Sequence, residues 1–407
     1  MNICVISGLY ATDKFPNGGI FVYEHLKQLK NHGLSYKTYI IKRDYSCSIA
    51  LIYRIIKRKP FQNSVVISWD KSEPIIPIIC PVNILDMILY IFFPKQYLKT
   101  ILKIITDDIK IKSDTIIHAH WTYPDGYYAV QLAKMYSVPC VVTAHGSDIH
   151  TIPRKNIIIK KYTIKTLESA DKVIFVSNAL LTSAKELGYS GENAVVIPNG
   201  IDPTYFYPVE KETALQKTGW RQSKKYVVGF VGNLIYVKRA DKFVKIFSEI
   251  RKIVGDVEFV LVGAGDLRDI IQKECNEIGL TVTFAGRVPH EEVANWMNLF
   301  DVMILPSRNE GWPCVVLEAY ACGVPVVGSS NGGIPEAIGG MGVVVDEGGR
   351  FEERFAKGVC DVLMDIHPIS SSELVKHAAK YTWESLTSME IDVYTSLSDR
   401  DISGNEN

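Results

Sequence analysis

Two glutamates eight positions apart, Glu310 and Glu318, flank the stretch Gly311-Trp312-Pro313 and the apolar run that follows it. An apolar β-branched run, Val302–Leu305, precedes them, and Pro313 reads as the first residue of a helix. Glu310 then belongs to the loop that opens the helix, and Glu318 lies about 7.5 Å along it at ~1.5 Å per residue. The free N–H groups of a helix N-terminus favour a phosphate. A carboxylate on either side accepts hydrogen bonds from hydroxyls. Hydroxyls, phosphate, then hydroxyls again is the chemical outline of a nucleotide sugar.

Other reactive side chains also follow apolar runs. Tyr226–Val231 leads into Gly232-Asn233-Leu234, with Lys238 and Arg239 just beyond. A cation after a glycine turn neutralises a diphosphate as a point charge. Glu258–Val262 leads into Gly263-Ala264-Gly265, which is only part of a dinucleotide fingerprint and a weak signal for a nicotinamide cofactor. Val141–Ala144 leads into His145-Gly146-Ser147-Asp148. Thr115–Ala119 overlaps His118-Ala119-His120, and Tyr123-Pro124-Asp125-Gly126 follows. Histidines at i and i+2 share one side of a strand, which leaves structural, substrate-binding and metal-binding readings open. The loop after the first strand holds Pro16-Asn17-Gly18-Gly19, where glycines let backbone amides approach an anion. A further glycine turn, Asn331-Gly332-Gly333, follows Val324–Gly328.

These residues need strands that end beside one another. Apolar runs alternate with helical patterns along the whole chain, the signature of βαβ units on parallel sheets. In the first half the strands are read at Asn2–Ser7, Ser64–Ser68, Thr115–Ala119, Val141–Ala144, Lys172–Val176 and Ala194–Ile197. In the second half they are read at Tyr226–Val231, Glu258–Val262, Thr281–Ala285, Val302–Leu305 and Val324–Gly328. The 407 residues, 47% apolar and 22% charged, suffice for two doubly wound domains. The turn-rich segment Pro198–Pro208 divides residues 1–200 from 201–375. A closing helix is expected over 376–397 and a disordered tail over 398–407. In such sheets ligands lie beyond the carboxyl ends of the strands, where all these groups fall.

Net charge is zero, from 45 basic and 45 acidic side chains, which argues against a general nucleic-acid binder. The halves differ. Residues 1–200 carry 24 basic and 15 acidic side chains, and the remainder carries the opposite imbalance. The eight cysteines form no C-x-x-C pair and read as buried thiols of a reducing compartment. Met1 leads directly into a strand-like run, so a cytoplasmic location is expected. Pro74–Phe93 is the most apolar stretch, but its prolines and Asp86 disfavour a membrane span. Pro94–Ile109 sets Leu98, Ile101, Leu102 and Ile105 against Lys95, Lys99 and Lys103, and Ile52–Lys59 is also basic and apolar. Helices of this kind can lie on an anionic membrane.

The ordered set of motifs resembles retaining glycosyltransferase family 4. Glu310 and Glu318 match its Glu-x7-Glu motif, accompanied by Gly18-Gly19, His145-Gly146-Ser147-Asp148, Val176-Ser177-Asn178, Ile197-Pro198-Asn199-Gly200 and Asn331-Gly332-Gly333. Tyr381-Thr382-Trp383-Glu384 is similar to the start of the family's closing helix. The run from His118 to Gly126 is similar to bacterial enzymes that build teichuronic acid, capsule or O-antigen. The resemblance implies the α/β GT-B fold, with two Rossmann-like domains facing a central cleft. It implies a nucleotide-sugar donor, a glycan or lipid-diphosphate-linked acceptor, and no metal or other cofactor.

It also implies roles. Glu310, His145 and Lys238 would be catalytic: Glu310 on the donor sugar, Lys238 on the departing diphosphate, His145 facing the transferred sugar. Gly18, Gly19, Asn233, Arg239, Asn309, Gly311, Trp312, Pro313 and Glu318 would complete the donor site, with Glu318 on the ribose. His120, Tyr123 and Asp148 are candidates for the acceptor. Asn233 departs from the family pattern, which often has a second cation there. The only Asp-x-Asp, Asp399-Arg400-Asp401, falls in the expected tail, away from any strand. Competing readings are an epimerase or phosphorylase on the same fold, a nicotinamide oxidoreductase, and an inactive homologue. A partner membrane on the basic half fits a lipid-linked acceptor.

Overall fold

Valine- and isoleucine-rich runs buried on both faces become central strands only in a parallel sheet covered by helices, and the chain builds two such sheets. The computed structural model describes residues 1–13, 18–57, 64–67, 73–366 and 368–403. Pro16, Asn17, Arg58, Lys59, Ser68 and the end of the expected tail, 404–407, lie outside the described residues. Contacts divide the chain into a first unit of Met1–Val176, Leu180–Ile197 and Thr387–Asn407, and a second of Ser177–Ala179 and Pro198–Leu386.

The first unit holds β1 (Asn2–Ser7), β2 (Ser35–Tyr45), β3 (Ile75–Val82), β4 (Thr115–His120), β5 (Cys140–Ala144), β6 (Lys172–Phe175) and β7 (Ala194–Val196). Its order is β3-β2-β1-β4-β5-β6-β7, every pair parallel. The second holds β8 (Tyr226–Val231), β9 (Val257–Val262), β10 (Val282–Gly286), β11 (Val302–Leu305), β12 (Val326–Ser329) and β13 (Val343–Val345), in the order β10-β9-β8-β11-β12-β13. Strand order reverses between β1 and β4 and again between β8 and β11. At these switch points the flanking crossovers diverge to opposite faces and leave a crevice. The core of the second unit is anchored by Phe230, Phe243, Phe247 and Phe259, whose successive ring centroids lie 4.8, 5.6 and 4.0 Å apart.

Several local expectations change. Ser64–Ser68 is not a strand of the sheet; Val66 makes one isolated antiparallel bridge to Thr12. The second and third strands are β2 and β3 instead. Pro74–Phe93 divides into β3 and a nine-residue helix, Ile84–Phe92, capped by Asn83. β3 tolerates Pro77 and Pro81 because it is an edge strand, where missing N–H groups break no ladder. No helix among the described residues is long and apolar enough to cross a membrane. Helix Pro94–Asp108 buries Tyr97, Leu98, Ile101 and Ile105 and exposes Lys95, Lys99 and Lys103, so its apolar stripe packs into the core. The last helix runs Trp383–Ser403 and carries regular structure past residue 398, into the segment expected to be disordered. Of the eight free cysteines, Cys47 is exposed, Cys314 half-buried and the other six buried.

Candidate functional site

In the second unit the switch-point crevice is bridged by charge. Lys238 follows β8 in a single tight turn, Tyr236–Lys238, and Glu310 follows β11. Lys238 Nζ lies 2.5 Å from Glu310 Oε1, with both side chains mostly buried. Arg308 holds the lysine's segment in place. Its guanidinium grips Asp241 at 2.6 and 2.9 Å, donates to the Tyr236 carbonyl at 2.6 Å, and lies 3.8 Å over the Tyr236 ring. Its backbone N–H donates to the Val237 carbonyl at 2.8 Å. Burial pushes the Asp241 carboxyl upward, but the Arg308 guanidinium outweighs it and holds the group below its ordinary value.

Helix Cys314–Ala321 starts one residue later than expected, with Pro313 as its N-cap. Glu318 is one turn along it, and its Oε1 lies 3.3 Å from His290 Nε2. The loop before the helix is braced by the glycine turn. A Cβ on Gly332 would sit 2.2 Å from the Glu310 carbonyl, and one on Gly333 would sit 2.1 Å from that of Gly311. Ser177 Oγ donates to the Gly311 carbonyl at 2.7 Å. Asn309 packs against Gly332.

Trp312, expected to serve the donor through its backbone, and Arg239, expected as a nearby cation, both have their side chains engaged elsewhere. Trp312 is buried, donates from Nε1 to the Asn199 carbonyl at 3.0 Å and packs on Tyr381, so only its backbone is available. Arg239 is buried, pairs with Glu347 and lies 3.9 Å over the Phe351 ring. Asn233, in the loop after β8, is exposed. The glycines of Gly263-Ala264-Gly265 serve packing: a Cβ on Gly263 would meet the Gly232 carbonyl at 2.0 Å, and one on Gly265 the Leu234 carbonyl at 2.2 Å. Leu234 N–H donates to the Ala264 carbonyl at 2.9 Å. They let the β9 loop support the β8 loop, a steric reason for glycine that needs no dinucleotide.

In the first unit, Asp125 spans the equivalent crevice and accepts from the Gly8 N–H at 2.7 Å. Burial raises its carboxyl to about 7. Gly19 starts helix Ile20–Asn31 at φ 70°, where a Cβ would lie 2.7 Å from the Leu9 carbonyl. Gly18, Gly19 and Tyr123 line one cavity of about 640 Å³ with Lys42, Arg43 and Tyr97. Asp148 is buried and accepts backbone N–H groups of Thr122 at 3.0 Å, Gly146 at 2.8 Å and His145 at 3.2 Å. It therefore shapes the His145 loop.

His120 belongs to a buried histidine cluster. Its Nδ1 lies 3.1 Å from His145 Nε2 and its Nε2 lies 3.2 Å from His25 Nδ1. His118 joins Tyr394 at 2.6 Å and Thr143 at 2.7 Å. Burial, then neighbouring imidazoles, pushes His118 and His120 well below the ordinary value and His145 down to about 3. His25, His118 and His120 offer nitrogens within 4.8 Å of one another, a spacing that admits a metal ion. Each ring nitrogen of these three already has a protein partner. Sequence reasoning missed His25 and His290, which come from elements outside the motifs they join, and the role of Arg308, which sits beside Glu310 but grips Asp241, 67 residues away.

Two Rossmann-like parallel-sheet domains in one chain define the GT-B class. Anabaena Alr3699/HepE, solved in complex with UDP, superposes with a TM-score of 0.71 at 16% identity, covering 98% of this chain and 100% of that one. Residues 225–365 match the model for glycosyl transferases group 1, and residues 68–205 match that for glycosyltransferase family 4. The chain belongs to these glycosyltransferases. TuaC of Bacillus subtilis, assigned to teichuronic acid biosynthesis, is 26% identical over 348 residues, 83% of each chain. The GDP-mannose-dependent alpha-(1-6)-phosphatidylinositol monomannoside mannosyltransferase of Mycolicibacterium smegmatis is 28% identical over 259 residues, 60% of this chain and 66% of that one.

Proposed function

We propose that this glycosyltransferase is a retaining, metal-independent enzyme. It moves a sugar from a nucleoside-diphosphate sugar to a glycan or lipid-linked acceptor in bacterial cell-surface polysaccharide synthesis. The Lys238–Glu310 pair at the β8/β11 crevice carries the reading. A nucleoside diphosphate leaves with negative charge growing on its β-phosphate, and a preplaced cation there lowers the barrier. Lys238 supplies it. Glu310 accepts hydroxyls of the sugar, and Glu318, beside His290, accepts those of the ribose. The bond from the anomeric carbon to the phosphate oxygen breaks through an oxocarbenium-like state. The acceptor oxygen attacks from the same face, and its proton passes to the leaving phosphate.

The acceptor is taken to meet the enzyme at the inner face of the cell membrane. Helix Cys47–Lys57 exposes Leu51, Ile52 and Ile55 beside Arg54, and helix Ile84–Phe92 exposes Ile84, Leu85 and Ile88. Apolar groups beside basic ones suit an anionic bilayer. The relatives named for teichuronic acid and for a phosphatidylinositol mannoside support this acceptor class.

A panel of nucleotide sugars screened for thermal stabilisation, then for turnover with bacterial membrane extract, tests the reading. One donor should stabilise the protein and be consumed, with the anomeric configuration of the donor kept in the product by NMR. An inverted product would overturn retention, and activity abolished by EDTA would overturn metal independence. Failure to sediment with anionic liposomes at low salt would overturn the membrane contact.

A further inference from the structure

In the first unit β2 outruns its neighbour. Ser7, the last residue of β1, pairs with Ile40, whereas β2 continues to Tyr45, paired with β3. Beyond the end of β1 lies the cavity of about 640 Å³. Gly8 lines it from the end of β1, Lys42 and Arg43 from the overhang of β2, and Trp121, Tyr123 and Asp125 from the segment after β4. Space beyond the carboxyl ends of parallel strands is where such sheets hold ligands. The two cations stand on β2, one strand removed from the β1/β4 crevice and its neutral groups.

Each cation has a hydroxyl beside it. Lys42 Nζ donates to Ser64 Oγ at 2.8 Å. Arg43 hydrogen-bonds with Tyr45 and lies 6.0 Å from the Tyr97 ring centroid, and Tyr97, Tyr45 and Tyr128 are the neighbours that act on it most. Hydroxyls position a cation without cancelling its charge. Asp125 is the one carboxyl among the described residues that line the cavity. Burial raises it to about 7, so near neutral pH much of it is uncharged. The cavity is therefore positive on balance. The remaining wall is aromatic and aliphatic, with Tyr97, Tyr128 and Ile101 all buried. Trp121 is held at φ 94°, costly for a residue with a Cβ, with its N–H on the Thr143 carbonyl at 2.9 Å. Cations in a largely apolar space favour a ligand that brings the opposite charge.

We propose that this cavity binds the acceptor by an oxyanion, a carboxylate or a phosphate, which Lys42 and Arg43 receive while Trp121 and Tyr123 lie along the attached sugar ring. The planar fork of Arg43 matches two oxygens of either group, and Lys42 adds a point charge. The aromatic walls suit the apolar face of a sugar ring, as a few convergent polar groups in an apolar pocket suit a small ligand. The enzyme then takes acceptors that carry negative charge and discriminates against neutral sugars. That the ligand is the acceptor rests on the proposed function; that the cavity takes an anionic sugar does not.

Titration of the full-length protein with glucose, glucuronic acid and glucose 1-phosphate, followed by saturation-transfer NMR, tests the site without a known acceptor. At least one anionic sugar should bind about 10- to 100-fold more tightly than glucose, the worth of hydrogen bonds to a charged group. A preference for glucuronic acid identifies the oxyanion as a carboxylate, and one for glucose 1-phosphate identifies it as a phosphate. Lys42→Gln combined with Arg43→Gln should remove the preference. Lys42→Glu, which leaves Arg43 and its tyrosines in place, should weaken it and serves if the double variant does not fold. Anions also meet Lys238 in the second unit, so the titration is repeated in Lys238→Ala, where the preference should persist. Glucose bound as tightly as both anionic sugars, a preference indifferent to the β2 substitutions, or one lost in Lys238→Ala would overturn the proposal. If an anionic sugar binds here and no nucleotide sugar is consumed, the glycosyl-transfer reading fails while the anion site stands. If transfer proceeds to neutral acceptors alone, the anionic acceptor fails while the glycosyl-transfer reading stands.

Discussion

The β1/β4 crevice and the β8/β11 crevice occupy the same place in the same strand order, yet they are furnished in opposite ways. In the first unit the groups beside it are imidazoles and a carboxyl, buried and shifted toward neutrality. In the second, a lysine and two glutamates stand as charges in partial contact with solvent, Lys238 21% and Glu310 13% exposed. The doubly wound fold supplies a crevice; what fills it decides the chemistry. Neutral, directional hydrogen-bonding groups suit the recognition of hydroxyls. Fixed charges suit a leaving diphosphate. The charge imbalance of the halves does not predict this placement, since the cation given to the diphosphate sits in the acidic half.

The comparison breaks most visibly at Lys238. Lys238→Ala removes the cation and leaves Glu310 unpaired in the crevice. Turnover should fall by about 100- to 1,000-fold, the cost of deleting one preorganised electrostatic group. Steady-state kinetics with the identified donor provides the check. Near-normal kcat would mean that the crevice of the second unit does not stabilise the leaving group as argued.

Much of this contrast could be read before the structure, and the missing part has a physical cause. Lys238 and Glu310 were legible because they lie in the loops after the apolar strands β8 and β11, Glu318 because it falls in the helix after β11, and the family resemblance implied their roles. His25 and Tyr394 were not. Tyr394 meets His118 across 276 positions and His120 meets His25 across 95, and no local pattern records such contacts. Residue type misled at Arg239, whose guanidinium is spent on Glu347 and the Phe351 ring. In the fold, β2 escaped notice because Lys37, Lys42, Arg43 and Asp44 interrupt its apolar run. β3 hid because edge strands accept proline, and β13 because three valines are too few to stand out.

Acid separates the two units next. His118, His120 and His145 are held below 6.5 in the folded protein, and unfolding restores their ordinary affinity for protons. Below that value the unfolded chain binds more protons, so stability falls with pH. Asp125 and Asp148, raised by burial, act in the opposite sense, although the backbone N–H bonds to Asp148 limit its share. Just below 6.5 the two carboxyls offset much of this uptake, and by about pH 5.5 the three imidazoles outweigh them. The first unit should therefore lose up to about 1.4 kcal/mol per pH unit for each net proton taken up as pH falls toward 5.5. Hydrogen exchange at pH 7 and 5.5, corrected for intrinsic rates, should show the loss in peptides of β1, β4 and β5 and little in those of β8 and β11. Equal protection at both pH values would remove the distinction between neutral and charged crevices.

The smallest effect sharpens the comparison by asking how the charged crevice keeps its lysine in place. Arg308 touches no ligand in the proposed mechanism, yet it ties the Tyr236–Asp241 segment to the β11 loop through two bonds to Asp241, two to the backbone and the Tyr236 ring. Lysine preserves the charge but has neither the planar fork nor the stacking surface. Because the pair is partly exposed, Arg308→Lys should cost about 1 kcal/mol, which is about a fivefold weaker affinity for the nucleoside diphosphate. Calorimetric titration with the diphosphate measures it. Asp241→Asn, which retains one acceptor oxygen, should weaken binding less. An unchanged affinity in Arg308→Lys would mean that the lysine holds its position without the clamp, and that the pairing with Glu310 alone prepares the crevice.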